Sequence, residues 1–370
     1  MGKIIKIRNV IRFLKGWNMS TRLLGRVWRF FKSKELAVLL ITCITASSVM
    51  GMLISQPDKV FTSWWFIGIS GAFIINLTSC TLSQVIKARR VWKSSEPGHL
   101  SIWALIVIHV GLIIIVLGGF ISAGFKMTGY MTVMEGEVRT ETQEEYDVLK
   151  KAPLFGIIGN SGYGIGLQKQ QRILDREGKV DYIVSEIILL EGDRVILKES
   201  VEEGKPLIYK GLGFYEHNAG FAPLVTIEDS NGNMIYKGFI FMETVNGQPE
   251  NYYQRRNFTV PGRNIKLDMR FYPDMVIEAG QVKTQKYSLG NPGLEINVTQ
   301  DGLKMEKGII KMGEKINFEG NSLSFDEVRH WIGLEIIYDP GAGVLFTGCL
   351  ITAIGLCFLW SGKKSLHWWT

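Results

Sequence analysis

Four runs along the chain are apolar enough and long enough to cross a bilayer: Leu36–Ser55, Trp64–Ile86, Leu100–Ala123 and Ala342–Trp360. At about 1.5 Å of rise per residue, roughly twenty residues of helix cover a hydrocarbon core of about 30 Å. Between the third and fourth runs the pattern changes. Residues 124–340 hold only short or alternating apolar stretches: Tyr182–Leu190, Arg194–Leu197, Leu224–Ile227, Met234–Phe241, Ile265–Phe271 and Ile309–Phe318. Ser230-Asn231-Gly232-Asn233 and Asp301-Gly302 lie between such stretches and read as hairpin turns. This pattern predicts a polytopic α-helical membrane protein with four transmembrane helices. A large β-rich domain, a sandwich or a partly open barrel, lies between helices 3 and 4.

The divisions expected on this pattern are a basic segment over 1–34, three spans within 35–123 (about 36–55, 64–86 and 100–123), a β-rich domain over 124–340, a fourth span over 341–361 and a tail over 362–370. Residues 1–34 carry ten Lys or Arg and no acid, with apolar patches at Ile4–Leu14 and Leu23–Phe31 that suit an interfacial amphipathic helix better than a cleaved signal peptide. Gln56–Ser63 reads as a polar turn, and Ala152–Gly166 as a glycine-rich loop.

Small residues recur at i+4 on three spans: Cys43, Ser47, Gly51 and Ser55 on the first, Gly68, Ala72, Asn76 and Cys80 on the second, and Cys349, Ala353 and Cys357 on the fourth. Such faces allow close helix approach, and Asn76 can hydrogen-bond a neighbouring helix. All four cysteines sit in apolar runs without a CxxC, so they read as small contact residues rather than redox centres.

Charge then orients the chain. Residues 124–340 hold 25 basic and 32 acidic residues, whereas the remainder holds 17 and 3. Basic flanks beside apolar spans follow the positive-inside rule and do not read as a nucleic-acid surface. The amino terminus, the Lys87–Lys93 loop and the Lys363–Lys364 tail are therefore expected in the cytoplasm, and the large domain outside.

One ionisable residue, His109, lies near the middle of the third span. An imidazole at that depth is costly and usually faces protein or a cofactor. It can serve as an axial haem ligand, a ligand to another metal or a proton relay; or it is a neutral ring donating one hydrogen bond to a facing helix. Trp103, Gly111 and the Gly118–Gly119 pair flank it, and Gly111 would leave room beside the ring. No other histidine lies inside a span. His99 is about 15 Å away along the same helix and cannot share an iron with it. If His109 binds haem, the second ligand comes from another chain. His217 reads as a surface residue; His330, beside Trp331 and just before the fourth span, can touch a ligand or pack. There is no nucleophile motif, no metal-spaced cluster and no nucleotide loop, so the sequence does not point to a self-contained enzyme.

Several stretches together are similar to the ResB family (also called Ccs1 or CcsB), one half of the System II cytochrome c biogenesis machinery. They are FTSWWF and INLTSC in the second span, HVGLIIIVLGGFISAGF in the third, YMTVMEGE after it, GFYEHNAGFAP in the large domain and GLEIIYDPGAGVLFTGCLITAIG entering the fourth. The resemblance implies a bacterial cytoplasmic-membrane subunit working with a ResC/CcsA-type membrane protein. That pair moves haem across the bilayer and presents it to apocytochrome c at the outer face, as a haem lyase complex. It further implies that His109 ligates haem b, shared with a histidine of the partner; from the residues themselves, Trp103 and Gly111 beside it and His330 are the further candidate cofactor contacts. A thioredoxin-like thiol reductant is an additional expected partner. The tryptophan-rich WGxxWxWD segment of the partner family is absent, so the chain resembles the separate ResB half. A reading of another class is a non-catalytic receptor or transporter accessory subunit with an exported ligand-binding domain, in which His109 is merely a packed polar group.

Overall fold

The computed structural model describes residues 29–54, 57–94, 99–151, 154, 161–176, 180–244, 252–301 and 303–367. Most of the basic 1–34 segment therefore lies outside the described residues. The chain divides into two compact units, one of helices (residues 1–126, 152–155 and 339–370) and one of strands (127–151 and 156–338).

The helical unit contains α1 (Lys34–Leu53), α2 (Pro57–Phe61), α3 (Trp64–Ser94), α4 (His99–Phe125) and α5 (Pro340–His367). Four of them, all but α2, are long and apolar enough to cross a membrane, as the hydrophobic runs require. Ser33 starts α1 as its N-cap, its hydroxyl accepting from the Leu36 N–H at 3.1 Å. The polar turn expected over Gln56–Ser63 instead holds the short helix α2, with Pro57 at its first position, where the missing N–H costs nothing. The expected basic loop at Lys87–Lys93 is the last part of α3, because nothing breaks the helix before Ser94. Likewise α5 runs on past residue 361 to His367.

Asn76 does bond a neighbour, but its partners are backbone carbonyls ahead of α1: its Nδ2 donates to Phe31 O at 2.6 Å and Ser33 O at 3.2 Å. Beside it Leu40, Phe73 and Leu77 join α1 to α3, and Leu112, Ile113 and Val116 of α4 pack on that cluster. The cysteine face of the fourth span is not the contact face: Cys349 and Cys357 are exposed. The contact is made by glycines, which bring the backbones closer than cysteine could.

The longer strands are β1 (Met127–Met134), β2 (Gly164–Leu174), β3 (Val180–Glu191), β4 (Arg194–Glu202), β5 (Leu212–Glu228), β6 (Tyr253–Thr259), β7 (Ile265–Tyr272), β8 (Gly293–Gln300), β9 (Leu303–Lys311) and β10 (Asn321–Tyr338). One sheet runs in the order Val148–Lys151, β1, β10, β5, Leu207–Tyr209, with Met234–Phe239 also on β5 and Lys315–Phe318 on β10. A second runs Val138–Thr140, β2, β3, β4, and a third β6, β7, β8, β9. Strand pairing within the sheets is antiparallel.

The β-rich reading therefore holds, and the core shows the sandwich form. Phe221, Val225 and Ile227 of β5 and Leu323 and Phe325 of β10 bury against Tyr253, Leu267, Phe271, Leu294 and Ile296 of the third sheet. The Ser230–Asn233 turn joins β5 to Met234–Phe239, with Asp229 Oδ1 accepting from the N–H groups of Asn231 and Asn233 at 2.8 Å each. Gln300 pairs with Leu303 across the Asp301 turn. Two expectations change. Ile309–Phe318 is two strands, interrupted at Gly313, whose φ of 89° favours glycine. Gly164 and Gly166 of the expected loop are the first positions of β2, where side chains of β3 leave no room for a larger residue.

Candidate functional site

His109 is the eleventh residue of α4, and its surroundings follow from how that helix is gripped. One stripe of α4, Ala104, Ile108, Gly111, Ile115, Gly118 and Ser122, lies against α5. On α5 the facing residues are Gly341, Leu345, Gly348, Thr352 and Gly355. Glycine thus recurs every seven residues on both helices, and the helices run antiparallel. A Cβ on Gly118 would lie 2.6 Å from Leu345 N, and one on Gly355 2.9 Å from Ile108 N. The backbones touch, which is how small residues join helices where lipid supplies no hydrophobic drive. At the end of the pair the Ser122 hydroxyl donates to Asp339 Oδ2 at 2.8 Å.

This grip decides where the expected neighbours of His109 go. Gly111 does not leave a space beside the ring; Gly348 and Thr352 of α5 occupy it. Trp103 is exposed and, six residues away, projects about 120° around the helix from His109. His109 instead lies one turn before Leu112 and Ile113, on the stripe that packs towards α1 and α3. Its Nδ1 is buried and has no hydrogen-bond partner among the described residues. A merely structural histidine at this depth was expected to bond a facing helix. That bond is not made among the described residues, and a neutral imidazole among apolar side chains is chemically a donor suited to haem iron.

The strand unit assembles a second group of residues. The three stretches singled out there, YMTVMEGE, GFYEHNAGFAP and the one around His330, become β1, β5 and β10, which are neighbours in the order β1-β10-β5. On one face the Tyr130 hydroxyl donates to Asn218 Oδ1 at 2.5 Å, crossing the intervening strand at Gly333, where any side chain would collide with both. His217 is the extra residue of a bulge opposite Gly333 and Leu334, exposed, with its ring 5.6 Å from Tyr130.

On the same face, two residues from Gly333, Trp331 is buried, its Nε1 donating to Phe221 O at 3.2 Å and Met242 O at 3.3 Å. Gly220 makes room for the indole: a Cβ there would lie 2.6 Å from Nε1. On the opposite, core-facing side, His330 Nδ1 lies 2.7 Å from Glu135 Oε2, and its ring 5.2 Å from Phe221. Burial, aided by the Arg172 charge, holds His330 below its ordinary value in spite of Glu135, so the neutral ring donates Nδ1–H to that carboxylate.

Glu216, hydrogen-bonded by the Ser185 hydroxyl at 3.4 Å, is pushed up to about 7, chiefly by burial. Arg172 reaches in from β2 and stacks on Phe221 at 3.9 Å. Next to it on the same strand face, Gln170 Nε2 donates to Ser185 Oγ and Trp331 O, each at 3.2 Å. Sequence reasoning named His330 alone of this group. Glu135 and Glu216 lay inside the quoted stretches, but Arg172, in QKQQRIL, carried no signal beyond strand alternation.

The match to the ResB-like family model covers residues 87–368, from the end of α3 through both units. This chain belongs to the ResB-like family. Cytochrome c biogenesis protein CcsB of Gloeobacter violaceus is 23% identical over 348 residues, covering 81% of this chain and 69% of that protein. Cytochrome c biogenesis protein ResB of Bacillus subtilis is 20% identical over 449 residues, covering 90% and 80%. Cytochrome c biogenesis protein Ccs1 of Guillardia theta is 21% identical over 345 residues, covering 80% and 73%. For this ResB-like chain the family match takes in α4, α5 and the strand unit.

Proposed function

We propose that this chain is the membrane subunit of a System II cytochrome c synthase, working with a ResC/CcsA-type partner to move haem across the membrane and deliver it to apocytochrome c. The relatives' shared name supports a role in cytochrome c maturation. The observation that carries the haem reading is His109: an imidazole within a membrane-length apolar helix, with its Nδ1 buried and unpartnered among the described residues. In this reading His109 is one axial ligand of haem b and the partner subunit supplies the other. Haem is the cargo, and the chain's own contribution is to hold it at a fixed depth. The basic flanks of the spans support an orientation with the strand unit outside the cytoplasmic membrane, where apocytochrome c and a thioredoxin-like reductant would be met.

The test is co-expression with a ResC/CcsA-type membrane protein, followed by purification and absorption spectroscopy. The wild-type complex should show a haem Soret band that weakens at least severalfold in His109→Ala and returns in part with added imidazole. Haem content unchanged in His109→Ala overturns the ligand assignment and favours the accessory-subunit reading.

A further inference from the structure

We propose that the strand unit contains a carboxylate-binding site anchored by the Nε–Nη2 edge of Arg172. Both of these atoms are sealed from solvent and have no hydrogen-bond partner among the described residues. They are the two donors on the side edge of the guanidinium, parallel and coplanar, and that edge pairs with the two oxygens of a carboxylate. Leaving such a fork buried and unbonded is costly: Tyr253, Glu216 and Glu135 act on the charge from nearby, but none bonds this edge.

The residues that could have closed the fork are engaged elsewhere. Glu135 is held by His330 at 2.7 Å, and Glu216 is bonded by Ser185 at 3.4 Å. Glu216 also keeps a raised pKa near Arg172, which a direct ion pair would have lowered. Gln170 Oε1, two residues from Arg172 on the same strand face, is a further buried acceptor without a partner among the described residues.

The surroundings restrict the ligand. Two carboxylates flank Arg172, so a phosphate dianion would meet strong repulsion where a monoanion meets less. Arg172 stacks on Phe221 and lies 5.8 Å from the Tyr253 ring, and His330 faces Phe221. These rings suit a carboxylate carried on a flat aromatic body. Arg172 keeps partial exposure as a residue while its fork points inward. The propionate of a porphyrin is one source of this chemistry. That choice rests on the haem-delivery reading; the carboxylate site does not.

The test uses the purified full-length protein in detergent, without the partner. Its unfolding midpoint is measured with benzoate and with benzamide, which has the same shape and no charge. Stabilisation by benzoate alone is expected, and equal effects of the two, or none, overturn the site. Binding of iron-free protoporphyrin IX is then compared with that of its dimethyl ester by fluorescence. The free acid should bind at least tenfold more tightly. Arg172→Lys, which keeps the charge and loses the fork, should remove that preference. A benzoate response without a preference for the free acid keeps the carboxylate site and overturns the porphyrin source. Because the probe lacks iron, a failure of His109 to ligate haem cannot produce any of these results, and the benzoate arm needs no variant that might misfold.

Discussion

Gly111 of α4 and Gly348 of α5 occupy each other's missing side chains. A Cβ on Gly111 would sit 2.9 Å from the Gly348 carbonyl oxygen, and one on Gly348 would sit 2.8 Å from the Gly111 carbonyl oxygen. Neither neighbour is a side-chain tip that can swing away, so Gly348→Val and Gly111→Val must push the helices apart. The expected cost is about 1–3 kcal/mol each, from overpacking, read as a lower unfolding midpoint in detergent. Gly119 and Gly343 lie in the same helices with no atom near their Cβ positions. Alanine at either should be neutral or stabilising by about 0.5–1 kcal/mol, since glycine is the poorer helix former. Equal losses at both pairs of sites would contradict the close-contact account.

Glu216 makes the stability of the strand unit depend on pH. Its ordinary value of 4.5 is raised to about 7 by burial, so the folded state binds a proton that the unfolded chain has already released. Stability therefore falls as pH rises from about 4.5 to about 7 and is level in this respect above that, with a total effect on the order of a few kcal/mol. The groups facing it are Ser185, Arg172, Glu202 and Glu203. His330 acts the opposite way: its lowered value costs stability as pH falls below about 6.5. The diagnostic quantity is thus a difference. Glu216→Gln should remove its share of the pH dependence between about pH 5 and 7, read as the wild-type minus variant difference in denaturant unfolding at each pH.

Trp331 ties three segments together through one N–H. Trp331→Phe keeps most of the buried ring but leaves Met242 O without this donor, whereas Phe221 O still accepts from Met242 N at 2.9 Å. A loss of about 1–2 kcal/mol is expected. Replacement by alanine should cost several times more, because it also empties the volume over Gly220. Comparable midpoints for the two variants would show that packing of the indole matters little.

Asn76 is fully buried and holds the carbonyls of Phe31 and Ser33. Asn76→Ala should free the start of α1, seen as faster tryptic cleavage at Arg29 and Lys32 in proteoliposomes. An unchanged cleavage rate would mean that the Ser33 cap alone fixes this end.

The membrane helices and the strand-rich middle were legible because hydrophobic run length and alternation are local properties. Helix ends were less so: the basic residues after Ile86 looked like a loop, yet helix propensity carries α3 to Ser94. The choice of contact face was not legible at all. The fourth span offers both a cysteine–alanine stripe at i+4 and glycines every seventh residue. Only the matching glycines of α4 select between them. For the same reason Gly111 was assigned to the wrong neighbour. In the strand unit the stretches carrying Glu135, Glu216 and His330 were recognisable as unusual. Their convergence depends on a pairing of β1, β10 and β5 that no local signal encodes, and Arg172 comes from a different sheet altogether.

The α4–α5 contact also sets an order of assembly. Gly118 and Gly341 are separated by more than two hundred residues. At 5–20 residues per second, synthesis of that stretch takes roughly ten to forty seconds. During this interval the glycine stripe of α4 faces lipid, and β1 waits for β10, which pairs Met127 with Tyr338. Synthesis of α5 closes the contact that α4 leaves open, so a ribosome stalled before Asn321 would leave both a half-built sheet and an unmatched helix for quality control to recognise.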